Sequence, residues 1–325
     1  MRPKRPRKNA RASMTEVSGT AAAGPEPTPP RPRTAAVIVH WGDTGPTARL
    51  VGELSCLDGI DQVIVVANDA QSCPEEIAQL ASWVVPPRNL GFAGGFDLGR
   101  RTAEGADCYL LLNNDIRIDD DCIAECQAAL ADPSIGIVAP VLVNAAGLQS
   151  AIGRISRPLH KGTTLNRPGA ARICDAEWVT GALMFIRAAC YDEVGFDLSY
   201  FLGWEDTDLC FRFRRRGWRV VIASRAQAWH QGGATIPPAS SGYYSLRNRI
   251  WFTRRWGTRP EAWLVWLWAA TALTPRILVA DCLKRRNVDR TKSACHALAD
   301  SLRQLPDDHA VPEAEPRPAV WALWT

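Results

Sequence analysis

The chain has 325 residues, 46% of them hydrophobic, enough for one large core and too apolar for a disordered polypeptide. Its net charge of +4 is unevenly spread: residues 1–33 carry eight Arg/Lys against two acids (+6), residues 34–246 carry 17 against 24 (−7), residues 247–303 carry 12 against four (+8), and residues 304–325 carry one against four (−3). An acidic middle excludes a nucleic-acid-binding core, which needs its basic face on the folded domain itself.

Residues 1–33 are Pro, Ala, Arg and small polar residues, a composition that buries too little surface to offset chain entropy, and they read as a disordered basic arm. Order is expected from "TAAVIVHW", a buried strand, followed by the loop "GDTGPT" and a helix over "ARLVGELSCL". A second strand "DQVIVVAND", a helix "CPEEIAQLA" and a third strand "SWVVPP" follow. Strands alternating with helices of about ten residues predict a mostly parallel sheet with helices on both faces and ligands at the carboxyl ends of its strands. After the glycine-rich "RNLGFAGGFDLGRRTAEGA" (loop, then helix) comes a fourth strand in "YLLL", then helix "DDCIAECQAALAD" and strand "IGIVAPVLV". Residues 144–176 lack periodicity and read as a long loop. "EWVTGALMFIR" is expected as a strand, "AACYDEVG" as a short helix, "TDLCFRFRRRG" as a helix ended by Gly217, and "WRVVIAS" as a strand. The catalytic-type domain is placed at 34–242, a basic, Trp-rich helical segment at 243–303, and a flexible tail at 304–325.

Four stretches carry polar groups where an apolar pattern ends. Asn113-Asn114-Asp115 closes the fourth strand. One carboxylate flanked by amides there suits a hard divalent cation that leaves positions open for a diphosphate, and suits equally a capped turn. Gly91, Gly94 and Gly95 in "RNLGFAGGFDLG" lie just ahead of an expected helix whose N–H groups face phosphate, or they make a structural turn. The spacing is neither that of a dinucleotide-binding fingerprint nor that of a P-loop. Trp204, Glu205, Asp206 and Asp208 open an apolar-periodic helix, where the dipole favours acids. Asp206 or Thr207 is an N-cap on one reading; on the other, two adjacent carboxylates beside aromatic residues supply a general base. His230, in "AQAWHQGGAT", follows a strand end and precedes two glycines, as a structural residue or a ligand.

In order and spacing these stretches resemble glycosyltransferase family 2, inverting enzymes of the GT-A fold, and particularly its rhamnosyl- and galactofuranosyltransferase-like branch. The resemblance runs from about Ala35 to Ser301 on "VIVVANDA", "RNLGFAGG", "YLLLNND", "VTGALMFIR", "GFDLSYFLGWEDTDLCFRFRRRGWRV", "AWHQGGAT" and "YYSLRNRIWFTRRW". It implies an α/β nucleotide-diphospho-sugar transferase fold with a C-terminal helical segment, and a divalent cation (Mg²⁺ or Mn²⁺) on Asp115, completed by His230. It implies Asp206 as catalytic base with Glu205 beside it, and Trp204 and Gly181 at the acceptor. Asn89, Gly94, Gly95, Asn113 and Asn114 would line the donor. Where many members carry an acid that reads the base, this chain has Ala67, so base recognition falls to Asn68 or Asp69. Phe96-Asp97 stands where Asn is frequent. The implied reaction moves a sugar from a nucleotide diphosphate (dTDP-rhamnose or a UDP-hexose) to a glycan or polyprenyl-linked acceptor in cell-envelope polysaccharide synthesis. Two other classes are weighed beside it. A sugar-nucleotide pyrophosphorylase wants a basic Gly-rich loop that "HWGDTGPTARL" lacks, and a noncatalytic sugar-nucleotide-binding protein has no need of Asp115, Asp206 and His230 together.

Ten cysteines without a CxxC pair read as reduced thiols of a cytosolic protein, and no signal-peptide h-region is evident. The longest uncharged run, Ala262–Pro275, is short of the ~20 residues that span a bilayer. The expectation is a cytoplasmic protein. The Trp- and Arg-rich residues 243–303 either contact the inner face of the membrane or pack on the catalytic domain.

Overall fold

The computed structural model describes residues 31–232, 238–285 and 288–303; most of the expected arm and the whole expected tail lie outside them. Arg31 to Arg33, assigned to the arm, are anchored instead: the Arg31 guanidinium meets Asp61 at 2.8 Å and the Arg33 N–H donates to Asp107 at 3.0 Å. The chain then runs β1 (Thr34–His40), α1 (Thr44–Leu54), β2 (Gln62–Ala67), β3 (Ser82–Val84), α2 (Gly91–Thr102), β4 (Cys108–Leu112), β5 (Ile116–Arg117), α3 (Asp120–Leu130) and β6 (Ile135–Asn144). Next come β7 (Gly147–Ser150), β8 (Ile152–Ser156), β9 (Lys161–Asn166), β10 (Ile173–Asp175), β11 (Leu183–Arg187), α4 (Ala188–Val194), α5 (Glu205–Arg215) and β12 (Arg219–His230). Four helices close it: α6 (Pro238–Trp256), α7 (Arg259–Trp268), α8 (Thr274–Ala280) and α9 (Asp289–Ser301).

The main sheet has the order β10-β12-β6-β11-β4-β1-β2-β3. β1 pairs in parallel with β2 and β4, β2 with β3, and β12 with β6, while β11 runs antiparallel between β4 and β6. Both faces are buried. Ala35 and Val37 enter one core cluster with Ile64, Val66 and Leu111, and Ala36 and Ile38 enter the other with Val65, Leu110 and Leu112. That is why these strands read as unbroken apolar runs. The mostly parallel α/β layering expected from the alternation of elements is the observed one.

Three expectations change. The helix over 73–81 is a single 3₁₀ turn, Glu75–Ile77, behind Pro74, which has extended backbone; five apolar residues in nine were too few to fix a longer helix. Residues 144–176 hold four strands, among them the β8–β9 hairpin, whose sequence "IGRIS…KGTTLN" has one apolar face too weak to read as alternation. The glycines of α2 also serve another purpose. The helix starts at Gly91 rather than after the glycines, and a Cβ on Gly95 or Gly99 would meet Val39 at 2.8 Å or Val37 at 2.5 Å. They let α2 sit close on the sheet.

The C-terminal helices form a third core, in which Tyr243, Tyr244 and Ile250 of α6 pack with Val265, Ala269, Ala297 and Leu298. α6 begins at Pro238 and so runs through the expected boundary at 242. The uncharged run ends at Arg276, but the helix does not: α7, a π-helical turn, α8 and the start of a second π-helical turn (Asp281–Arg285) continue as one 25-residue helix, Arg259–Leu283, long and apolar enough by length and composition to cross a membrane.

α6 is joined to the segment ahead of α5 by buried polar contacts. Asn248 Nδ2 lies 2.9, 2.9 and 2.6 Å from the carbonyls of Tyr200, Leu202 and Gly203, and Arg247 donates to the carbonyls of Ser199 and Tyr200. Asp208, fully buried on α5, accepts from Tyr200, Arg255 and, at 2.7 Å, the Trp256 indole. Asn248→Ala is therefore expected to lower unfolding stability by about 2 kcal/mol, because buried carbonyls lose their donor. Urea denaturation measures it, and a change within ~0.5 kcal/mol would show that the loop holds without the amide.

Candidate active site

The acid pair sits where α5 begins. Trp204, not Asp206 or Thr207, is the N-cap, in the left-handed region at φ 73°, and its side chain makes no cap bond. Its neighbour Gly203 has φ 75°, and Phe201, three residues back, has φ 62°. Such a turn costs of order 1 kcal/mol at each non-glycine and persists only when its surroundings dictate it, as the Asn248 and Arg247 bonds do here. The carbonyl of Phe201 further accepts the Phe92 N–H at 2.7 Å, an approach open only because Gly91, at φ 70°, has no Cβ to strike that oxygen.

Asp206 is held as a base is held. Its Oδ2 accepts the Gly181 N–H at 2.9 Å and its Oδ1 accepts the Thr207 N–H at 2.6 Å and the Thr207 hydroxyl at 3.2 Å. Glu205 differs: it is 6% exposed, and its Oε2 has no hydrogen-bond partner among the described residues. Burial, and then the charge of Asp206, push Glu205 up to about 8. Burial raises Asp206 as well, against the Gly181 and Thr207 donors. Two adjacent carboxyls in one dry place resist double ionisation, and the proton is favoured on Glu205, held by its own backbone N–H alone, over Asp206, held by Gly181 and Thr207.

A cleft of about 550 Å³ opens over this pair, and Asn113, Gly181, Trp204 and His230 line it with the two acids. His230 Nε2 stands 3.2 Å from Asp115 Oδ1, and its Nδ1 is 2.8 Å from Gln149 Oε1. β5 is paired with β12 at Ile116 and His230, so strand register brings Asp115 to the imidazole. The Gly232 N–H donates to the other Asp115 oxygen at 3.1 Å. Burial opposes ionisation of Asp115, but the His230 hydrogen bond and charge and the backbone donors outweigh it and hold the carboxyl below its usual range. With Gln149 on Nδ1, the free ring nitrogen and a carboxylate oxygen face one another, a pair of groups that a shared proton or a divalent cation satisfies. Among the described residues no cluster of three His, Cys, Asp or Glu surrounds a metal position. Two protein ligands fit an ion whose other positions are taken by water and a diphosphate.

The remaining expected residues, Gly181 apart, do not line this cleft: Asn68 and Asp69 follow β2, Asn114 follows β4, Asn89 precedes α2 and Gly94 and Gly95 lie within it, and all are engaged with the protein. Asn68 donates to the Gly91 carbonyl at 2.8 Å and accepts the Leu90 N–H, so its amide shapes the loop ahead of α2. Asn89 accepts the Gly91 N–H at 2.8 Å. Asp69 accepts the Gly42 N–H and the Gln71 amide. Asn114 donates to Thr47, whose hydroxyl also meets the buried His40 at 2.7 Å. A Cβ on Gly94 would strike Leu90 at 2.9 Å, and Gly95 faces Val39 and the Asn68 amide. Gly181 acts on Asp206 through its N–H, with Phe92 at 3.3 Å from where its Cβ would be. Sequence reasoning passed over Gln149, which sits in the stretch read as loop, and Ser241, Tyr244 and Ser245 of α6, which line the cleft. Gln149 has no local signal. Tyr244 and Ser245 stand in "YYSLRN", within a motif already singled out.

At 30% identity over 164 residues the chain is similar to an uncharacterized protein of Mycobacterium tuberculosis, covering 49% of this chain and 60% of that one. At 30% over 118 residues it is similar to the N-acetylglucosaminyl-diphospho-decaprenol L-rhamnosyltransferase of the same organism, covering 33% and 37%. The chain thus spans about 60% of the first relative's length and little over a third of the second's. Among solved structures, GalNAc-T7 with UDP, GalNAc and Mn²⁺ superposes with a TM-score of 0.60 at 13% identity, over 84% of this chain and 55% of that one. The mannosyltransferase PcManGT from Pyrobaculum calidifontis, in complex with GDP-Man and Mn²⁺, does so at 0.53 and 15%, over 84% and 88%. These likenesses show a GT-A-like fold. The model of the family described as "Glycosyltransferase like family 2" matches residues 32–253, from β1 through the cleft to α6, and the chain belongs to that family.

Proposed function

We propose that this family 2 glycosyltransferase transfers a sugar, with inversion, from a nucleotide-diphosphate donor to an acceptor hydroxyl lying in the cleft over Asp206. The observation that carries the reading is the asymmetry of the acid pair: Asp206 accepts three hydrogen bonds that aim it at the cleft, while the buried Oε2 of Glu205 accepts none, so that the charge is favoured on Asp206 and the proton on Glu205. Asp206 accepts the proton of the attacking hydroxyl, the new bond forms at the anomeric carbon, and the bond to the diphosphate oxygen breaks on the opposite face. One displacement needs one carboxylate base. Glu205, as a neutral acid, donates a hydrogen bond to the acceptor, and Trp204 offers a ring against which a sugar packs. A divalent cation on Asp115 and His230 would supply charge neutralisation to the leaving diphosphate. The rhamnosyltransferase relative acts, by its name, on a diphospho-decaprenol acceptor, which supports a polyprenyl-linked or glycan acceptor in cell-envelope synthesis and dTDP-rhamnose or a UDP-hexose as donor.

Asp206→Asn is expected to keep the fold and the donor affinity while turnover falls by roughly 10²- to 10⁴-fold, the contribution of a positioned base. Melting temperature, donor affinity and kcat on one preparation decide it; a kcat within a few-fold of wild type would make Asp206 structural. Glu205→Gln, which imitates the neutral acid, is expected to stay within about tenfold of wild-type turnover. The same variant tests the pH linkage. A carboxyl raised to about 8 in the folded protein stabilises it fully below its unfolded pKa and loses that stabilisation as pH rises through about 8. The wild type should therefore lose melting temperature as pH rises from about 4.5 to about 8 and lose no more from this group above that, and the Gln variant should lose less over the same window. Parallel curves would return the proton to Asp206. Asp115→Ala, finally, is expected to abolish the Mn²⁺-dependent part of nucleoside-diphosphate binding in calorimetry. Undiminished metal-dependent binding would move the cation elsewhere.

A further inference from the structure

Six of the eleven large apolar side chains exposed among the described residues lie on one helix: Trp263, Leu264, Leu267, Leu278, Val279 and Leu283 of Arg259–Leu283. Soluble surfaces rarely gather such residues in one place without a partner for them. The opposite side of the helix is already spent. Val265 and Ala269 are fully buried in the third core, and Asp281 is fully buried with Thr291 donating to it twice. A helix fixed lengthwise to α6 and α9, which carry Arg254, Asp289 and Lys292, cannot cross hydrocarbon without taking those charges with it.

The charges around the apolar face name its partner. Arg259 and Arg276 are exposed on the helix itself. No acid is exposed there: Asp281 is buried, and Glu261 is engaged by Thr258 and by His160 at 3.5 Å. Beside Trp263 a groove of about 410 Å³ is lined by Arg254, Arg259 and Trp266. Exposed tryptophan and leucine flanked by guanidinium groups match the headgroup and acyl boundary of an anionic bilayer, whereas a second copy would set like charges against one another.

We propose that the outer face of Arg259–Leu283 lies in the plane of an anionic membrane surface, with Trp263, Leu264, Leu267 and Leu278 in the acyl boundary and Arg259 and Arg276 at the phosphates. α6 connects this face to the cleft, since Ser241 and Tyr244 line the cleft while Ile250 packs under the helix. A membrane-anchored acceptor would reach Asp206 from that side. This use rests on the proposed transferase reading; the surface does not, and its test involves neither donor nor acceptor.

The full chain is mixed with phosphatidylcholine vesicles, with and without added phosphatidylglycerol, and bound protein is measured by co-sedimentation. Binding is expected on the anionic vesicles, weakening with salt. Leu267→Glu with Leu278→Glu should reduce affinity at least tenfold, roughly the loss of two buried apolar side chains, at unchanged melting temperature. Arg259→Ala and Arg276→Ala should each reduce it about fivefold. Should the charged variant unfold, the wild type and Trp263→Phe decide: acyl-brominated phosphatidylglycerol should quench tryptophan emission of the wild type, and Trp263→Phe should remove part of that quenching. Absence of wild-type binding, affinity indifferent to all four substitutions, or no bromine quenching would overturn the proposal. So would a dimer in gel filtration that the double Glu variant dissolves, since the face would then be covered by a second copy.

Discussion

One amide on α6 fixes the chemistry of this protein more than any residue in the cleft. Asn248 Nδ2 lies against three carbonyl groups of the segment ahead of α5, those of Tyr200, Leu202 and Gly203, and Arg247 beside it makes two more contacts on the same stretch. Without those donors a buried loop with two non-glycine residues at positive φ would have carbonyls in a dry interior and an unfavourable backbone. With them the loop has one shape, and that shape sets where α5 starts. Since Glu205 and Asp206 are the first two residues of α5, their directions follow from the loop. The acid pair is built by the C-terminal layer as much as by the sheet.

This explains the division of labour among the three acids of "WEDTD". All three are buried or nearly so, and each answers burial differently. Asp208 is neutralised by Arg255 and the Trp256 indole and binds α6 to α5. Asp206 is satisfied by the Gly181 and Thr207 donors, which stabilise a carboxylate without cancelling its charge. Glu205 has a buried Oε2 without a partner among the described residues, and burial raises it. Three carboxyls within four residues thus come to differ by their partners alone.

The sheet was legible because its strands are buried on both faces and leave continuous apolar runs, and the acids were legible because they interrupt such a run. What escaped the sequence was mostly relational. Gly94 and Gly95 look like part of a phosphate loop in one dimension, but the places of their missing Cβ atoms are taken by Leu90 and Val39 of the same protein. Asn68 looks like a base reader and is occupied with the Leu90–Gly91 backbone. Gln149, which sets the His230 ring, comes from a stretch with no periodicity, and only strand pairing of β7 with β6 brings it near. Polar side chains at strand ends announce a site in sequence; whether they face a ligand or the neighbouring loop depends on donors and acceptors that sequence order does not rank.

The same logic extends to the helical layer. α6 is in contact with everything that matters: its Ser241, Tyr244 and Ser245 border the cleft, its Asn248 and Arg247 set the loop, its Arg255 and Trp256 satisfy Asp208, and its Tyr243 and Arg254 hydrogen-bond α9. A helix committed on so many sides cannot rotate or slide without breaking buried hydrogen bonds at several points at once. Force or position applied to the outer helix is therefore transmitted to the cleft as rigid-body placement rather than as a change in the acids' geometry. Under the proposed membrane docking, an outer helix coupled in this way would orient the cleft as a whole and leave the hydrogen bonds of the acid pair unchanged.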